Sequence, residues 1–129
     1  MANNVDGPEI TFKASGTLAG KQFYIMTLDT NGRVKLADDP DDPVEAMLGV
    51  LQNEPTAIDE PAVVRVDGIA KVIGGATIEE GIWVTCDSAG KLAAAVANDN
   101  VLGITIEAAA LNKISQVLLR QGAGYVAPV

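Results

Sequence analysis

The chain has 129 residues, 48% of them hydrophobic and 4% aromatic, with a formal net charge of −8. That length points to one domain, residues 1–129, burying roughly two-thirds of its unfolded surface, and the scarcity of rings requires a core of Val, Ile, Leu and Ala, to which oligomerisation is a natural supplement. The absence of histidine removes the usual general base and the commonest metal ligand, the single Cys86 excludes an internal disulfide, and acidity without a basic cluster argues against nucleic acid or an anionic membrane as partner.

Short apolar or alternating segments separated by Gly, Pro, Asn and Asp predict strands along the whole chain. In order they are 9–14 (EITFKA), 22–28 (QFYIMTL), 33–37 (RVKLA), 47–52 (MLGVLQ) and 62–66 (AVVRV). Then follow 69–73 (IAKVI), 81–86 (GIWVTC), 91–95 (KLAAA), 101–106 (VLGITI) and 114–120 (ISQVLLR). Their spacing and β-branched content predict an all-β small barrel or sandwich of about ten short strands. Helix is expected only as one turn at Pro43–Ala46 and in the Ala-rich Glu107–Leu111. The ends, 1–8 and 121–129, read as flexible N- and C-terminal arms around the body. Neither a secretory signal at MANNVDGPEI nor an apolar run of the roughly 18 residues that span a bilayer is visible. The chain therefore reads as soluble and made in a cytoplasm.

The body repeats itself. "FYIMTLDTNGRVKLA" from Phe23 aligns without a gap on "GIWVTCDSAGKLAAA" from Gly81, "MLGVLQ" at Met47 matches "VLGITI" at Val101, and "AVVRV" at Ala62 answers "SQVLLR" at Ser115. Each half reads as a strand, a D-[TS]-x-G turn, a strand, a loop, a strand with an internal Gly and a final strand. Residues 9–66 and 67–120 are thus expected to form a tandem pseudo-twofold repeat. Gly49 and Gly103, inside strands, mark a bulge or a close backbone approach.

Candidate chemistry starts with Asp29 and Asp87. Two carboxylates that share a proton need a tight Asp-Thr-Gly or Asp-Ser-Gly loop, but here Asn31 and Ala89 intervene before the glycine. Asp at the first turn position and Gly at the last describe a hairpin instead. The segment from Asp38 to Glu60 holds eight acids and no Lys or Arg, and lacks the ligand spacing of an EF-hand, so it reads as a solvated acidic loop. Trp83, flanked by Ile82 and Val84, reads as a core or interface anchor rather than a sugar-stacking platform, and Cys86 as a small core residue. Catalytic, cofactor and metal residues are therefore expected to be none, and the protein is expected not to be an enzyme.

The succession "TLDTNGRVKLA…MLGVL" and "VRVDGIAKVIGGATIEEGIWVTCDSAGKLAAA…VLGITIEAA…ISQVLL" resembles the bacteriophage capsid cement, or head decoration, proteins, over roughly Gly16 to Arg120. "GIT" at Gly103 stands where "GIA" or "GVA" is more usual. The resemblance implies a structural protein on the outer surface of the virion's capsid, made in the cytoplasm of a bacterial host. Its partner would be the major capsid protein, which it would stabilise against the pressure of packaged DNA, and its own oligomer would be a homotrimer. Val5, Phe12, Tyr125 and Val126 are the candidate interface residues, by β-augmentation or by laying the ends in a groove. The alternative is a small-molecule or carbohydrate-binding β module of a virion fibre or cell-surface assembly, with an exposed aromatic platform drawn from Trp83, Tyr24, Tyr125, Phe12 and Phe23.

Overall fold

A computed structural model describes residues 8–40 and 46–122. They form β1 (Glu9–Lys13), β2 (Ile25–Leu28), β3 (Val34–Leu36), β4 (Gly49–Leu51), β5 (Pro61–Arg65), β6 (Ile69–Ile73), β7 (Trp83–Cys86), β8 (Leu92–Ala94), β9 (Val101–Thr105) and β10 (Ile114–Gly122). The protein is all-β: two antiparallel five-stranded sheets, ordered β1-β5-β4-β2-β3 and β6-β10-β9-β7-β8, pack as a sandwich. The second order is the first with every strand advanced by five, which fits the tandem repeat. Within strands such as β5 and β10, buried and exposed residues alternate, as a pleated chain with one covered face requires.

The two D-[TS]-x-G elements form matching hairpin turns. Asp29 Oδ1 accepts the backbone N–H groups of Asn31 (2.8 Å) and Arg33 (2.9 Å), and Asp87 Oδ1 those of Ala89 (2.8 Å) and Lys91 (3.0 Å). Gly32 and Gly90 close the turns at φ 75° and 78°, in the left-handed region where a Cβ is strained. The match extends to residues whose types differ. Phe23 and its counterpart Gly81 have φ 72° and 77°, and Asp59 and its counterpart Asn112 have φ 68° and 61°. Each unit also repeats the same long-range bonds: Phe23 N–H to Leu51 O and Gly81 N–H to Thr105 O, then Asp59 N–H to Ala14 O and Asn112 N–H to Gly74 O.

Gly49 and Gly103 mark close backbone approaches. A Cβ at Gly49 would lie 2.1 Å from the Arg65 carbonyl oxygen, and one at Gly103 would lie 2.1 Å from that of Leu118. Each sheet curls until its outer strands nearly meet, through single parallel bridges Ala14↔Val34 and Gly74↔Leu92. The first sheet encloses a cluster of Ala14, Leu18, Met26, Val34, Leu51, Ala62 and Val64. The larger cluster spans both sheets, joining Ile25, Ala37, Met47 and Val50 to Ala70, Val72, Val84, Leu92, Val117 and Leu119. At this junction the stretch Phe23–Ile25 bridges the second sheet's opening between β6 and β8: Ile73 N–H donates to Phe23 O (3.0 Å), and Ile25 N–H to Gly90 O (2.8 Å).

Two expectations need correcting. Glu107–Leu111 is not helical: Ile78 and Ala109 exchange backbone bonds at 3.0 and 2.8 Å, and Ala109 is buried. A helix that short closes too few bonds to offset its nucleation, and an extended pairing wins. Of the two places expected for Trp83, core or interface, the core is excluded, since the pleat turns Val84 inward and leaves Trp83 38% exposed. Of the turn at Pro43–Ala46, residues 43–45 lie outside the described residues. The expected strands lose residues at several ends, notably 22–24, where the left-handed Phe23 breaks the ladder, while β10 runs on to Gly122.

Candidate interaction surface

Both turn carboxylates, Asp29 and Asp87, are engaged with their own hairpins, and each works as a turn former. Cys86 is buried in the cluster that spans the sheets. Of the acidic loop, Asp38 and Asp39 are exposed, while Asp41, Asp42 and Glu45 lie outside the described residues. Among the described residues, no three His, Cys, Asp or Glu side chains come together in a group that could hold a metal.

One charged contact ties the first hairpin to the loop before β5. Arg33 Nε donates to Asp59 Oδ1 at 2.7 Å across the surface. The bond from Arg33 holds the Asp59 carboxyl below the usual range, and Asp59 in turn raises the guanidinium. Glu60 is also lowered, chiefly by the backbone N–H of Thr56, which donates to its Oε1 at 2.6 Å. Carboxyls lowered on folding add stability that is complete above their unfolded range and is lost as pH falls through the folded values. Acidification below the ordinary carboxylate range should therefore weaken the hold on this loop. Asp59→Asn keeps a residue type that its counterpart Asn112 shows to be at home in the left-handed region. In Tm measured against pH, it should flatten part of the acid-side fall; an unchanged curve contradicts the role given to the pair.

Of the expected interface residues, Phe12 lies on β1 opposite Ala62, partly buried and packed against the first sheet's cluster. Val5, Tyr125 and Val126 lie outside the described residues. The structure adds a row that separate segments of sequence could not reveal. Trp83 stands opposite Ile104, Ile104 opposite Leu118, and Leu118 opposite Ile69, so four apolar residues cross β7, β9, β10 and β6 on one face. Side chains directly opposed across antiparallel strands touch. Ile69, Leu118 and Ile104 are partly exposed, and Trp83 is 38% exposed. The Ile69 end reaches a groove of about 270 Å³ at the sheet junction, also lined by Gln22, Phe23, Gln52, Arg65 and Lys71. Trp83 is not among its lining residues, so the groove and the exposed ring do not combine into one sugar-sized site.

The family model of phage cement proteins matches residues 5–121. The chain belongs to the phage cement protein family. No curated protein matches it. The family match takes in both sheets and all ten strands up to residue 121, so the cement protein's family features reside in both sheets rather than in one. Cement proteins are structural components of the capsid, and the family places this chain with the virion.

Proposed function

We propose that this cement protein binds the outer surface of an assembled phage head and stabilises it against the internal pressure of DNA. The family match over residues 5–121 carries this reading. The charge of −8 supports it, since an acidic body suits a solvent-facing coat and repels the packaged nucleic acid. Its role there is structural and not catalytic, and its direct partner is the major capsid protein. Each copy would bridge several shell subunits, so that opening one contact strains the others, and weak contacts act together.

On this reading the chain works as a single unit of two β repeats, 9–66 and 67–120, made in the cytoplasm of the bacterial host and assembled as a homotrimer. Val5, Tyr125 and Val126 would reach the shell or a neighbouring copy from the two terminal segments. Mixing the purified protein with expanded heads that lack it, and sedimenting the heads, tests the reading: the protein should pellet in a fixed ratio to the major capsid protein. A protein that stays in the supernatant at saturating concentration contradicts it. Removing 1–7 or 123–129 should weaken pelleting and leave the melting of the body nearly unchanged.

A further inference from the structure

We infer that copies of this chain join head to tail, the Trp83 row of one copy seating in the opening between β1 and β3 of the next. The contact between the two sheets within one chain supplies the template. In the first sheet, the row Ile25–Val50–Arg65–Glu9 occupies the same register as Trp83–Ile104–Leu118–Ile69 in the second. Ile25 and Val50 are fully buried in the cluster that also holds Ala70 and Val72 of the second sheet, β4 lies against β6, and Ile25 N–H donates to Gly90 O in the turn before β8. Ile25 and Val50 thus form the inserted side of the contact, and Ala70, Val72 and Gly90 the receiving side.

Both sides have a counterpart at the surface. The counterparts of the inserted side are Trp83, 38% exposed, and Ile104, partly exposed. The counterparts of the receiving side are Ile10, Phe12 and Gly32. Ile10 stands opposite Val64 as Ala70 stands opposite Val117, yet Ile10 is 47% exposed where Ala70 is fully buried. Gly32 is exposed where Gly90 is buried. A contact that joins two different surfaces, and leaves one of each kind at the two ends, is heterologous, and repeats from copy to copy.

Charge selects the same pairing. Glu79 and Glu80, both exposed, immediately precede Gly81, with Trp83 two residues further on, and Lys13 and Lys35 flank the opening between β1 and β3, where Asp59 also lies within the field of Lys13. Within the chain, Phe23 lies beside Ile73, so its counterpart Gly81 would lie beside Lys13, the counterpart of Ile73, and bring Glu80 to that lysine. The same two positions inside the chain hold Gln22 and Ile73, so this charge pair belongs to the contact between copies alone.

Sedimentation velocity of the purified protein, without any shell, tests the inference apart from capsid binding. With rising concentration the mass should climb above the 13.3 kDa of one chain, and emission from Trp83, the single tryptophan, should shift to the blue. A discrete limiting mass marks a closed ring and open-ended growth a filament, both from this contact. Ile10→Glu and Trp83→Glu should each abolish association, while a mixture of the two should form one-to-one pairs, since each variant keeps one intact side. As variants less exposed to a folding defect, Glu80→Lys and Lys13→Glu should each weaken association several-fold, and the chain carrying both should regain it. A wild-type chain that stays monomeric overturns the inference and assigns the row to the shell or to the chain's own ends. Normal association of Ile10→Glu, or no pairing in the mixture, also overturns it by showing a contact of the Trp83 row with itself.

Discussion

Gly103→Ala should cost about 3 kcal/mol of stability, at or above the upper end of ordinary overpacking. The added Cβ would meet the Leu118 carbonyl oxygen at 2.1 Å, its carbon at 2.9 Å and the Leu119 Cα at 3.0 Å, all backbone atoms of β10. No rotamer change can relieve a clash with backbone. Strands β9 and β10 would have to part at the centre of the second sheet, where Gly103 is paired with Leu119. Against a total of about 5–15 kcal/mol for a domain, this would unfold a sizeable fraction on mild heating. Urea denaturation should show a lower midpoint with an unchanged slope, since the surface exposed on unfolding is the same. Gly49→Ala should behave alike, because its Cβ would meet the Arg65 carbonyl oxygen at 2.1 Å. Gly16→Ala, with nothing within 4 Å of the new carbon, should be close to neutral. A loss at Gly103 no larger than at Gly16 would contradict the close approach.

Ile25→Ala should cost about 2–5 kcal/mol, the usual range for emptying a fully buried position of this size. Its side chain is shared by both sheets, which places the cavity at their junction rather than inside either one. The loss should lower a single melting transition of the whole chain, because the Phe23–Ile25 stretch completes the hydrogen bonding of the second sheet. Two separate transitions in the wild type, only one of them moved by the substitution, would mean that the sheets fold independently.

Local chemistry made the strands and turns readable. Alternation marked β5, β6 and β10, and Asp with Gly at fixed spacing marked both hairpins, because a carboxylate that accepts two backbone N–H groups and a residue at positive φ leave few other solutions. The glycines within strands were legible for the same reason: only a missing side chain permits the approach. Phe23 was not, since nothing in its type announces a left-handed backbone; its alignment with Gly81 was the one available signal. The Trp83 row escaped because its four members come from four segments, and only the register between strands brings them together. Whether Trp83 or Val84 faces inward depends on strand phase, which an apolar run such as "GIWVTC" does not disclose.

If the protein strengthens a filled phage head, the temperature at which such heads release their DNA must report it. Heads stripped of the protein, heated with and without it while a dye reports released DNA, should release at a higher temperature when the protein is added, with the rise saturating as binding does. Release at the same temperature, with the protein demonstrably bound, would mean that it does not reinforce the shell.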